Sequence, residues 1–156
     1  MELTAVNETT LGECVTLFRA AFSGPPWNED WPSEIAEVKL RELLHTPGFF
    51  GLLARAEGLA VGMLMGHFEQ QLLGQHFQIR ECCVLPDCQR RGIGRALVRE
   101  LYRHLAAGHV TSVSLITMRD SPAHQFYEQN GFRAANRNFL LVTQGSPEAL
   151  LEQSPD

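Results

Sequence analysis

Apolar positions along the chain first recur every three or four residues, then every two, then every three or four again. TLGECVTLFRAAF places Leu11, Val15, Phe18 and Phe22 on one stripe, which predicts a core-facing helix. SEIAEVKLRELLHT predicts a second helix, with Ser33 as its N-cap, acids in its first turn and Pro47-Gly48 as its stop. Ahead of both, LTAV reads as a short strand, and SGPPWNEDWP between them is a loop of turn formers. The period then shortens. FFGLLARA, LAVGMLMGHFEQ and HFQIRECCVL are apolar segments separated by Glu57-Gly58 and Leu73-Gly74, as in an antiparallel meander. GIGRALVRELYRHLAAG returns to helical spacing with Ile93, Leu97, Leu101 and Leu105 on one face and Gly108 at its end. VTSVSLIT is a β-branched strand. SPAHQFYEQNGF is a short helix with Ser121 as N-cap, Pro122 at the first position and Gly131 as terminator. FLLVT predicts a last strand. Strands forming a meander and then alternating with helices describe a mixed α/β domain on one sheet. The expected boundaries are a single domain over 1–143 and a polar, disordered tail over 144–156.

Composition narrows the function classes. A 156-residue chain, 44% hydrophobic and 20% charged, suits one soluble domain. Its N-terminus lacks the basic and apolar regions of a signal peptide, and no apolar run reaches the ~18–20 residues of a membrane span. The expectation is a cytoplasmic protein without a membrane partner. Cys14, Cys82, Cys83 and Cys88 match no zinc spacing and read as free thiols, and the six histidines form no metal pair. No metal is expected. The net charge of −5 argues against nucleic acid. Between Arg80 and Arg103, however, six arginines face three acids, a local +3 that leaves −8 for the remainder. The basic patch suits a small polyanion and the acidic remainder a cationic partner.

That patch is centred on QRRGIGRAL. Gly92 and Gly94 stand at a helix start, where four unpaired amides and the positive end of the dipole favour an anion. Arg90, Arg91 and Arg95 add charge, and a pyrophosphate is the natural occupant. No Lys-Ser/Thr follows, as a P-loop would need, and the third glycine of a dinucleotide fingerprint is missing.

Gln89-Arg90-Arg91-Gly92-Ile93-Gly94 matches [QR]-x-x-G-x-[GA], the acetyl-CoA signature of the GNAT superfamily of N-acetyltransferases. IRECCVLP resembles that superfamily's fourth strand, and AHQFYEQNGF resembles its A-x-x-F-Y-x-x-x-G-F segment. The element order fits over roughly residues 1–143. The resemblance implies a mostly antiparallel central sheet of about six to seven strands flanked by helices. It also implies an acetyl-CoA-dependent N-acetyltransferase, with direct attack of a primary amine in a ternary complex. The diphosphate of CoA would lie on the amides of Gln89, Arg90, Arg91, Gly92, Ile93, Gly94 and Arg95. The pantetheine arm would pair with backbone freed at Cys82 and Val84, where the fourth strand splays from VTSVSLIT, and an amide near Cys83 or Val84 would hold the thioester carbonyl. Ala123, Phe126 and Asp120 fall on further cofactor positions, Asp120 where relatives often carry asparagine.

The resemblance makes Tyr127 the acid that protonates the leaving thiolate. Deprotonating an ammonium of pKa ~10.4 at pH 7 costs about 4.6 kcal/mol, so a base or water chain is needed. Glu81 is the candidate, although strand alternation sets it opposite Cys82 and Val84 unless a bulge intervenes. The superfamily's other base positions fall on Gln78, Arg80 and Leu115, none a carboxylate. The acceptor is expected under GPPWNEDW, with Trp27 and Trp31 as an aromatic wall and Glu29 and Asp30 attracting a cation. This loop resembles the W-x-E segment of the aminoglycoside 6′-N-acetyltransferase branch, and the acidic N-terminal half favours a small cationic amine such as a polyamine or aminoglycoside. A basic peptide or protein N-terminus, or a CoA-binding module without chemistry, are the alternatives. The resemblance also implies a homodimer through the C-terminal strands.

Overall fold

The computed structural model describes residues 1–138, 140–143, 146 and 147. The elements follow the predicted order: β1 (Glu2–Ala5), α1 (Leu11–Phe22), α2 (Ser33–Leu44), β2 (Phe49–Ala56), β3 (Leu59–Gln71), β4 (Gly74–Val84), a 3-10 turn (Pro86–Cys88), α3 (Ile93–Ala106), β5 (Val110–Ser114) and α4 (Pro122–Gln129). One sheet runs β1-β2-β3-β4-β5. The first four strands are antiparallel, and β5 joins β4 in parallel, with α3 as the crossover that parallel pairing requires.

Each face of the sheet buries its own helices. On one, Leu11, Cys14, Val15, Leu17 and Phe18 of α1 and Ala36 and Leu40 of α2 pack on Leu53, Met63 and Met65. On the other, Ile93, Leu97, Val98, Leu101 and Leu105 of α3 pack on Ala54, Leu64, Phe77 and Ile79. Five buried α3 side chains, each contributing about 1.5–3 kcal/mol, are enough to fix that helix and therefore the position of its first turn.

Three sequence expectations change. Ser33 is not the cap of α2 but its first residue: Pro32 holds the extended cap conformation, and its carbonyl accepts from the Ala36 amide at 3.0 Å. β5 ends at Ser114, three residues short of VTSVSLIT. The described sheet has five strands, not six or seven. Of the expected last strand FLLVT, Phe139 lies outside the described residues, and residues 140–143 belong to none of the five described strands. Leu140, Leu141 and Val142 are 68%, 88% and 70% exposed, so the burial that would favour pairing is missing. The expected tail from residue 144 lies almost wholly outside the described residues. Among the described residues no helix is long and apolar enough to cross a membrane, and no group of side chains could hold a metal ion.

Candidate active site

β4 and β5 pair only from Gln75/Val110 to Gln78/Ser114. Beyond that point the strands part. A cleft of about 1160 Å³ opens between Ile79–Val84 on one side and Leu115–Met118 on the other. The backbone on the β4 side is free by a simple alternation. The Leu85 amide donates to Val61 on β3, so Leu85 and Cys83 turn their backbone groups towards β3, and Cys82 and Val84 turn theirs into the cleft. One of these groups is already in use, since the Gln89 side chain donates to the Val84 carbonyl at 3.2 Å.

The helix start closes one end of this cleft. Gly92 caps α3 with φ +83°, no side chain caps the helix, and the amides of Ile93, Gly94 and Arg95 meet no intrahelical carbonyl. Arg90 is also left-handed, with φ +61°, so the segment curls around its own amides. A Cβ on Gly92 would touch no protein atom within 4 Å, so the space before the helix is open. Gly94 is small for another reason. Its Cβ would lie 3.1 Å from Phe126 Cζ, so the missing side chain makes room for α4 as well as for anything on the amides. Gln89, Arg90, Gly92, Ile93, Gly94 and Arg95 all line the cleft, as do Cys82, Cys83, Val84, Ala123 and Phe126. Arg91 and Asp120 do not. Asp120 instead holds a left-handed turn ahead of α4, its amide 3.2 Å from His124 Nδ1.

α4 is set by its cap: the Ser121 hydroxyl accepts from the His124 amide at 3.0 Å. This brings Tyr127 to the cleft, 8% exposed, between Phe126 and Phe132 and beside the Cys82 thiol. Burial raises its pKa, with the neighbouring thiols adding to the shift, so the phenol keeps its proton through the alkaline range. Burial likewise pushes Cys82 up to about 11, with the neighbouring Tyr127 hydroxyl opposing that rise, and Cys83 well above its ordinary value. Both therefore stay neutral thiols at physiological pH and are poor nucleophiles.

Glu81 reaches the cleft from the opposite face, as alternation requires. It packs towards α2, where Lys39 Nζ lies 2.6 Å from its carboxylate and 5.7 Å from the Trp31 ring centroid. Burial raises the Glu81 pKa, and the Lys39 hydrogen bond and charge oppose that rise. The bulge that the sequence left open is present one residue earlier. Met65 pairs with Glu81 and Gly66 with Ile79, so Arg80 is the extra residue.

The loop between α1 and α2 divides its expected residues. Trp27 lines the cleft beside Phe22, Pro25 and Pro26. Trp31, Glu29 and Asp30 do not. Trp31 covers the core edge-on to Phe18 at 5.2 Å, and its indole N–H donates to Glu29 at 2.6 Å. The carboxylate expected to draw in a cation is thus engaged by an indole. Sequence reading also missed Ile116 and Met118, which line the β5 side while 69% and 47% exposed. Their signal was an apolar pair at the end of VTSVSLIT, with Ile116 inside the expected strand and Met118 just past it.

Known proteins resemble this chain in sequence and in fold. The profile of the Acetyltransferase (GNAT) family matches residues 13–132. "Acetyltransferase SG1711" of Sodalis glossinidius is 30% identical over 142 residues, covering 90% of this chain and 93% of its own. "Acetyltransferase ECA0875" of Pectobacterium atrosepticum is 29% identical over 79% of this chain and 80% of its own. Among solved structures, the aminoglycoside antibiotic 6'-N-acetyltransferase AAC(6')-IG of Acinetobacter haemolyticus superposes with a TM-score of 0.73 at 17% identity, covering 94% of this chain and all of its own. With a family match over most of its length and acetyltransferase relatives at this identity, the chain is an N-acetyltransferase that belongs to the GNAT family.

Proposed function

We propose that this chain transfers the acetyl group of acetyl-CoA to a primary amine by direct attack within a ternary complex, on a small acceptor that arrives as an ammonium cation. The observation that carries the reading is the parting of β4 and β5 beside an uncapped helix start. Free strand backbone and unpaired helix amides line one continuous cleft there. The fit to CoA is chemical. The first-turn amides with Arg90 and Arg95 suit a pyrophosphate, and the open space at Gly92 admits it. The groups of Cys82 and Val84 suit an amide-bearing arm, and exposed Ile116 and Met118 suit its apolar stretches. When bound, acetyl-CoA supplies an activated thioester.

The residues divide the remaining work. Backbone N–H groups at Cys82 or Val84 steady the developing negative oxygen. Glu81 takes the proton shed by the amine, directly or through water, and its raised pKa makes it a stronger base than an exposed carboxylate. Tyr127 donates its phenolic proton to the departing sulfur. The neutral thiols of Cys82 and Cys83 support direct transfer over an acyl-cysteine route. The outer edge of β5, unpaired among the described residues, supports a homodimer, for which sedimentation should give twice the chain mass.

Release of free CoA thiol from acetyl-CoA in the presence of amines tests the reading. Amine-dependent release supports it, and release at the same rate without any amine contradicts it. Glu81→Gln should lower kcat/KM by about ten- to a hundredfold and flatten the acid limb of its pH profile, because the base must be ionised to act. Stability should move the other way. A carboxylate whose folded pKa is raised contributes most below its unfolded value, and that contribution is lost as pH rises through the folded one. Glu81→Gln should therefore not lower the melting midpoint at pH 7, which calorimetry checks.

A further inference from the structure

Arg80 is unaccounted for by the cofactor. It is the extra residue of the β4 bulge, a device that re-aims a side chain and often lies beside active sites. It is exposed, lines the cleft, and has no ion pair or hydrogen bond among the described residues. From Arg80 to Val84 the strand covers about 13 Å, so Arg80 stands at the closed end of the split, away from the helix start. Phe22, Pro25, Pro26 and Trp27 line the cleft from the α1–α2 side, with the Phe22 and Trp27 rings 5.6 Å apart.

The neighbouring charged side chains are engaged with one another. Glu81 is the single carboxylate among the described residues lining the cleft, and Lys39 already neutralises it. Glu29 is held by the Trp31 indole. Arg80 is therefore the charged side chain on β4 that lines the cleft with no hydrogen bond or ion pair of its own among the described residues, and the same cleft carries an apolar wall. Building on the acetyltransferase reading above, we propose that Arg80 recognises the acceptor by a carboxylate. The acceptor is then an amine that carries a carboxylate beside an apolar or aromatic body, the chemistry of an apolar amino acid. The planar guanidinium suits a carboxylate bidentately, which lysine would not reproduce.

The test compares L-phenylalanine with phenethylamine, and L-leucine with 3-methylbutylamine, using acetyl-CoA and following CoA release. Wild type should favour each amino acid over its bare amine by about tenfold or more in kcat/KM. In Arg80→Gln that ratio should collapse towards one, through a loss of roughly ten- to a hundredfold on the amino acid, and Arg80→Lys should restore part of it. Preference of wild type for the bare amines, or an equal loss on both sets, overturns the carboxylate assignment. So does turnover of neither set by a protein whose melting midpoint acetyl-CoA raises. If acetyl-CoA raises no midpoint, the acetyltransferase reading fails first and the carboxylate assignment falls with it.

Discussion

Replacing Gly92 with aspartate should weaken acetyl-CoA binding by at least about a hundredfold. Gly92 holds φ +83°, and its absent Cβ faces open space, so a Cβ there meets no protein atom within 4 Å. Aspartate tolerates the left-handed region better than most residues, at about 1 kcal/mol, so the protein should still fold. The carboxylate would occupy the space ahead of the first-turn amides. Two like charges 4 Å apart repel by about 4 kcal/mol near a protein surface, and a pyrophosphate there would meet that repulsion directly. Titration calorimetry of wild type and variant reads the effect. Unchanged affinity would remove the pyrophosphate from the helix start and leave Arg90 and Arg95 without a function.

Tyr127→Phe should lower kcat by roughly a hundred- to ten-thousandfold while leaving the acetyl-CoA dissociation constant unchanged. The substituted ring keeps its packing against Phe126 and Phe132, at centroid distances of 5.1 and 5.4 Å, so the fold loses little. What disappears is the proton. Burial holds the phenol protonated, so its proton is in place throughout the working pH range. Steady-state kinetics with a saturating acceptor separates this from a binding defect. A kcat within threefold of wild type would assign the proton to water.

Local sequence carried the elements whose pattern is strong. α3 was legible because five side chains on one stripe bury against the sheet, and α4 because Ser121, Pro122 and Gly131 punctuate it. The cleft was legible only through the family resemblance, because the parting of two strands leaves no local signature. β5 shows this. VTSVSLIT is uniformly strand-like, yet pairing stops at Ser114, and what ends it is the divergence of its neighbour. Trp27 and Trp31 were indistinguishable by composition. One lines the cleft and the other seals the core, because α1 offers Phe18 to Trp31 and Phe22 to Trp27. The reason for Gly94 was only half legible, since Phe126, thirty-two residues away in sequence, fills the space. The Lys39–Glu81 pair joins α2 to β4 and was invisible until the tertiary fold brought the two together.

The most direct measurement is the thermal midpoint of the wild-type protein with acetyl-CoA, with CoA and with NAD, each in large excess. A ligand at a hundred times its dissociation constant stabilises the folded state by about 2.7 kcal/mol, which moves the midpoint of a domain this size by roughly 5–10 °C. The cleft between β4 and β5 predicts that rise with both CoA species and none with NAD. No rise with either CoA species would contradict the cofactor assignment and the chemistry built on it.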